Sequence, residues 1–169
     1  SGAIAAFVTA STGKTPTYFG KPYKETVEMI SEATGVSVDK MCIFGDRLYT
    51  DIASGNNAGV DTVCATSHFY PQEVLVSNFL KARDASFDRL LEVCGDMARP
   101  KIVLGAEVLI CEGLDQMEGL ESLCLEGTNV LLLELPILQK PAFLTEVLTG
   151  LRSRGIIPML AHVERYAYV

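Results

Sequence analysis

The stretch Phe44-Gly45-Asp46-Arg47-Leu48-Tyr49-Thr50-Asp51 decides how the chain is read. The apolar run Met41–Phe44 leads straight into two carboxylates five residues apart, Asp46 and Asp51. A helical stretch, Thr50–Ala58, follows and stops at Gly59, and a second apolar run, Thr62–Thr66, comes soon after. Strand, helix and strand in that order form a βαβ unit with parallel strands. In open parallel sheets ligands bind beyond the carboxyl ends of the strands, so Asp46 is expected to point into that crevice. Carboxylates are hard ligands suited to Mg²⁺, which commonly takes one or two of them together with substrate phosphate. The other reading of Asp46 is an N-cap on an ordinary βα turn.

The same alternation extends in both directions. Candidate strands are Thr17–Phe19, Met41–Phe44, Thr62–Thr66, Ile102–Val108, Val130–Leu135 and Ile157–Ala161. Most are apolar on consecutive positions, the pattern of strands covered on both faces. Helical stretches lie between them. Pro22–Thr34 has Pro near its start and Gly35 just past its end, and Ala142–Arg154 stops at Gly155. Gln72–Met97 is the longest, and Leu114–Leu125 holds one or two short helices. The expected fold is α/β, one domain over residues 1–169. About six mostly parallel strands alternate with helices, in a doubly wound sheet or an incomplete βα barrel. An incomplete barrel leaves strand edges exposed, which favours a homodimer.

Composition narrows the partners. The chain of 169 residues is 49% hydrophobic and 21% charged, with a formal net charge of −7. Nucleic-acid binding needs clustered Lys and Arg, so no nucleic acid is expected. No apolar run approaches the roughly 20 residues of a spanning helix, so no membrane is expected either. Ser1-Gly2-Ala3-Ile4 has no basic n-region of a signal peptide. The five cysteines form no Cys-x-x-Cys pair and read as free thiols in a reducing compartment. A cytoplasmic location follows as the expectation.

Lys21 follows a short apolar run and precedes Pro22. A lysine there can meet a phosphate as a point charge or neutralise nearby carboxylates, or it is simply solvated. Gly20-Lys21-Pro22 taken with Gly45–Ile52 resembles the haloacid dehalogenase (HAD) superfamily, in its nitrophenyl-phosphate and sugar-phosphate phosphatase branch. Ala10-Ser11-Thr12-Gly13 and Asn57-Ala58-Gly59-Val60-Asp61-Thr62-Val63 are similar to that branch too, and the resemblance covers roughly residues 2–63. It implies that Lys21 binds phosphate, that Asp46 holds Mg²⁺ and that Asp51 supports the same metal set. The family's Asp-x-Asp nucleophile lies on an earlier strand, and residues 1–20 contain no Asp or Glu. Aspartyl-phosphate chemistry needs that carboxylate.

The only two histidines, His68 and His162, each stand at or just past the end of a candidate strand, and Glu107 stands late in a third. Parallel strands can bring all three to one face, and imidazole with carboxylate suits a transition metal that activates water. The alternative is three unrelated loop residues. Four phrases in order, Ala65–Pro71, Leu104–Val108, Leu132–Pro136 and Leu160–Tyr166, resemble the polymerase-and-histidinol-phosphatase (PHP) superfamily. The branch they resemble is that of the bacterial manganese-dependent protein tyrosine phosphatases, and the likeness covers roughly residues 59–169. It implies His68, Glu107 and His162 as metal ligands and Arg165 as a phosphate binder. The family's first His-x-His pair is absent, the chain ends before its late Asp-x-His pair, and Val163 stands where a proline is usual.

The sequence therefore reads as a HAD-like segment, 1–60, joined to a PHP-like segment, 61–169. Asp46 takes the strand end that carries His-x-His in the PHP family. The implied activity is metal-dependent hydrolysis of phosphate monoesters, impaired because both centres are incomplete. Asp46, His162 and Arg165 are the expected catalytic residues, with Lys21 and Arg165 on phosphate. Asp46, Asp51, His68, Glu107 and His162 are expected on Mn²⁺ or Mg²⁺. The substrate is a phosphorylated small molecule or phosphotyrosine. The alternative is a non-catalytic chimeric or truncated α/β scaffold.

Overall fold

A computed structural model describes residues 2–45, 47–60, 62–94 and 101–168. Its sheet has five strands: β1 (Cys42–Gly45), β2 (Thr62–Phe69), β3 (Lys101–Leu109), β4 (Val130–Glu134) and β5 (Ile157–Leu160). They lie in the order β1-β2-β3-β4-β5, and every neighbouring pair is parallel. Right-handed crossovers between strands in sequential order wind all the connections onto one face. That is the wall of an incomplete βα barrel. A doubly wound sheet reverses its strand order at a switch point, and this sheet does not.

The helices are α1 (Gly2–Thr12), α2 (Glu25–Thr34), α3 (Ala53–Ala58), α4 (Val76–Cys94) and α5 (Leu144–Ser153). Helices α2 and α3 stop at left-handed glycines, Gly35 at φ 69° and Gly59 at φ 73°, whose N–H groups close back on the last turn. Helix α5 buries Leu144, Val147 and Leu151, a helical stripe pressed on the core. The stretch 114–125 holds two short 3₁₀ turns, Leu114–Gln116 and Leu120–Leu123.

One local expectation fails, and one helix goes unread. Thr17–Phe19 is irregular chain, not a strand, and among the described residues the sheet has five strands, close to the expected number. Turn chemistry takes over there: Gly20 sits at φ 94°, its N–H donates to Thr26 Oγ1 at 2.7 Å, and Tyr18 stacks on Tyr23. Helix α1 has no counterpart in the sequence reading. Its Ala-rich sequence has good intrinsic helix propensity but buries no side chain, so no apolar stripe announces it.

The main core lies between residues 69 and 166, around Phe69, Val108, Leu131, Leu133, Leu151 and Tyr166. Leu131, Leu132 and Leu133 are buried in succession, so β4 is covered on both faces as the apolar runs foretold. A second, small cluster joins Val27 and Val60 with Met41, Ile43 and Ile52. In the parallel register His68 pairs with Glu107, Glu107 with Leu132, and Leu132 with Met159. Paired residues share a face, so this row lines the concave side of the sheet.

Candidate active site

The site begins at the carboxyl ends of the strands. His68 is the penultimate residue of β2, Glu107 stands two before the end of β3, and Glu134 closes β4. One ligand atom from each of these three lies within 4.8 Å of the other two. His162 follows β5 after Ala161 and holds a left-handed conformation at φ 51°, which is uncommon for a residue with a Cβ. That backbone turn aims its Nε2 at Glu107 Oε1, 3.2 Å away, while His68 Nδ1 lies 3.5 Å from Glu134 Oε2. Glu107 is only 7% exposed, and its Oε1 makes no hydrogen bond. A buried carboxylate needs a cationic partner to offset its desolvation.

The other wall of the same cavity comes from the acidic loop. Asp51 lies in a π-helical turn, Leu48–Ile52, that leads into α3. Its side chain is buried, accepts hydrogen bonds from Arg47 N (3.1 Å) and Thr50 Oγ1 (3.2 Å), and is ion-paired with Lys21 Nζ. The carboxylate packs directly on the β1 terminus: a Cβ on Gly45 would stand 2.1 Å from Asp51 Cγ. Only glycine allows that approach.

A cavity of about 370 Å³ gathers both walls. Lys21, Gly45 and Asp51 line it from one side, and His68, Glu107 and His162 from the other. Tyr166 backs the site. Its hydroxyl accepts a hydrogen bond from Leu135 N at 3.0 Å, and burial holds its pKa above the ordinary value, with the charges of Glu134, Tyr168 and Glu107 adding to the effect.

Of the residues singled out in the sequence, the structure brings five to this cavity: Lys21, Asp51, His68, Glu107 and His162. Asp46 lies outside the described residues. Arg165 sits exposed on the 3₁₀ turn Val163–Arg165 and does not line the cavity. Glu134 was missed as a candidate. The signal was present, since an acidic residue closing the apolar run Val130-Leu131-Leu132-Leu133 is the same cue that marked Glu107. A larger hollow of about 600 Å³, lined by Leu75, Leu80 and Met117 among others, holds none of these groups.

The donor set fits a divalent cation: imidazole nitrogen with carboxylate oxygens, converging, and one buried oxygen without a hydrogen bond. His68, Glu107 and Glu134 would hold it, with His162 beside them.

Comparison with known proteins gives two likenesses. Residues 18–93 match the HAD-hydrolase-like family. Dihydroxyacetone phosphatase of Corynebacterium glutamicum (strain R) is 37% identical over 67 residues, covering 40% of this chain and 24% of its own. The 4-nitrophenylphosphatase of Schizosaccharomyces pombe is 39% identical over 77 residues, covering 44% of this chain and 26% of its own. The chain thus spans about a quarter of the length of these curated relatives. A solved structure is similar across 64% of this chain and 44% of its own, with 25% identity and a TM-score of 0.50. It comes from a study of YwqE from Bacillus subtilis and CpsB from Streptococcus pneumoniae, described as metal-dependent tyrosine phosphatases. The chain is therefore a composite of two phosphatase likenesses, one HAD-hydrolase-like in sequence and one similar in fold to a metal-dependent tyrosine phosphatase.

Proposed function

We propose that this chain is a phosphate-monoester hydrolase of low activity, with a single metal-assisted centre built from both of its segments. The observation that carries this reading is the shared cavity, where Lys21 and Asp51 face His68, Glu107 and His162. Residues 1–60 supply the HAD-like wall and residues 61–169 the PHP-like wall of one domain. Mn²⁺ or Mg²⁺ belongs at His68, Glu107 and Glu134, with His162 and Asp51 lining the same cavity. When bound, such a cation withdraws charge from phosphoryl oxygens and lowers the pKa of water. Lys21 sets a positive charge against the phosphate, and His162 Nε2 holds or returns a proton beside Glu107. Arg165, three residues beyond His162, reaches phosphate only by swinging in from the surface. The cavity is the size of a small-molecule site, which suits a phosphorylated small molecule or a phosphotyrosine side chain. The exposed edges of β1 and β5 suit a homodimer, and the free thiols suit the cytoplasm.

A specific observation favours a second reading, a non-catalytic scaffold. Lys21 is already committed to Asp51, and Arg165 stands away from the cavity, so the phosphate clamp is unassembled. Turnover of nitrophenyl phosphate and a phosphotyrosine peptide, with Mn²⁺ or Mg²⁺ and after chelation, decides between them. Slow metal-dependent hydrolysis is expected, abolished in His162→Ala and Arg165→Ala and largely retained in Asp51→Asn. Folded protein without metal-dependent turnover establishes the scaffold. A phosphorylated aspartate trapped on the chain overturns the assignment of chemistry to the histidine side.

A further inference from the structure

The seam between the two segments carries a feature that the phosphatase reading leaves unused. Cys42 opens β1 and Cys64 lies in the adjacent β2. Phe44 pairs with Cys64 in the parallel register, so Cys42 sits diagonally across from Cys64 on the same face of the sheet. Their sulfurs are 3.2 Å apart. Cys42 is exposed and Cys64 is 5% exposed. We propose that Cys42 and Cys64 form an oxidation site, an accessible thiol with a buried resolving thiol, that closes to a disulfide when a peroxide reaches Cys42.

The chemistry balances without any further reagent. The Cys42 sulfur attacks one oxygen of hydrogen peroxide, the O–O bond breaks, and a sulfenic acid and one water result. The Cys64 sulfur then attacks the Cys42 sulfur, the S–O bond breaks, and the hydroxyl leaves with the Cys64 proton as a second water. Two thiols are oxidised to one disulfide and one peroxide is reduced to two waters. The sulfurs must approach by roughly 1 Å to reach the ~2.05 Å bond. The fixed strand pairing holds them in place for that step. Burial, and then the neighbouring Cys42, push the Cys64 thiol up to about 12, so the first encounter with oxidant falls to Cys42 and Cys64 stays protonated until the sulfenic acid forms.

The consequence is mechanical. Among the described residues strand β1 pairs only with β2, through four residues, and delivers Gly45 to the cavity rim. A bond between Cys42 and Cys64 staples that edge strand to the sheet.

The sequence makes the test clean. Tryptic cleavage after Lys40, Arg47 and Lys81 places Cys42 in peptide 41–47 and Cys64 in peptide 48–81, with no other cysteine in either. The whole folded chain is treated with stoichiometric hydrogen peroxide, alkylated and digested without reductant. The expected product is the linked pair of these two peptides, lighter by two hydrogens. It should be absent in Cys42→Ser and several-fold less abundant when oxidation is carried out in urea. Cys42 ending as a sulfinic acid or a glutathione adduct beside an alkylatable Cys64 overturns the proposal. So does equal yield of the linked pair from folded and unfolded chain. Neither outcome bears on hydrolase activity, so the inference stands or falls on its own.

Discussion

At Glu107 the local electrostatics are unusually exposed to test. Its carboxylate is buried, Oε1 makes no hydrogen bond, and His162 Nε2 lies 3.2 Å from it. Glu134 completes the group with His68, although its place was not read from the sequence. If these three are the cation's ligands, Glu134→Gln removes one anionic oxygen while keeping shape, and Mn²⁺ affinity falls by ~10-fold or more. Calorimetric titration checks this, and unchanged affinity places the cation elsewhere. Tyr166 makes a second residue-scale prediction. Tyr166→Phe leaves the buried Leu135 N–H without its acceptor and costs about 1–3 kcal/mol in urea unfolding near neutral pH. Burial raises the folded pKa of Tyr166 above its usual 10.0. A group raised in this way contributes stability that is whole below the unfolded pKa and is lost as pH climbs through the folded one. Wild type should therefore lose stability more steeply than Tyr166→Phe above about pH 10. Cys64, raised to about 12, titrates in both proteins and cancels from the difference. Parallel alkaline slopes in the two proteins would remove Tyr166 from the account.

Among the elements, legibility followed the apolar runs. All five strands read as such runs; in β4 the cause is coverage on both faces, since Leu131–Leu133 are buried in succession, whereas no residue of β1 or β5 is buried. Helix α5 was visible because Leu144, Val147 and Leu151 recur at helical spacing against the core. Thr17–Phe19 looked like a strand by composition alone. Three β-prone residues do not make a strand without a ladder, and here Gly20 and Thr26 take up the local hydrogen bonding. Helix α1 was invisible for the opposite reason: it is formed but packs on nothing, with Ile4 and Phe7 both more than two-thirds exposed. The same strand ends carried the site. His68, Glu107 and His162 stand at or near strand ends, whereas Lys21 lies on irregular chain, Asp51 on a π-helical turn, and Arg165, placed by resemblance, outside the cavity. Since α1 buries nothing, removing residues 1–12 should shift the urea midpoint hardly at all, and Leu151→Ala should cost about 2–5 kcal/mol. A large loss on removing α1 would mean that it is covered in solution, for which a second copy is the first candidate.

Across the whole molecule, stability and chemistry are distributed unevenly. The large core spans residues 69 to 166, while residues 2 to 60 share one small cluster around Val27 and Val60. Exposed apolar side chains concentrate in the same early region, Ile4, Phe7, Phe19, Met29 and Ile30 among them. Yet that weakly packed region supplies Lys21, Phe44, Gly45 and Asp51, one side of the cavity's wall. Regions with few buried apolar contacts open locally at a free energy below the global value. Amide hydrogen exchange under native conditions should therefore show two classes. Amides of β3, β4 and α5 exchange last, at rates that track global unfolding in denaturant. Amides of α2 and β1 exchange far sooner, through openings that urea accelerates only slightly, because little surface is exposed by them. Added Mn²⁺ should slow the β2 to β4 strand ends and leave α2 unchanged, since His68, Glu107 and Glu134 all belong to the firmly packed side. Equal protection of β1 and β4 would show a single cooperative unit, with the small cluster as firmly bound to the sheet as the large one. Slowing of α2 by the cation would show instead that Lys21 and Asp51 close on the bound site, coupling the weak wall of the cavity to the strong one.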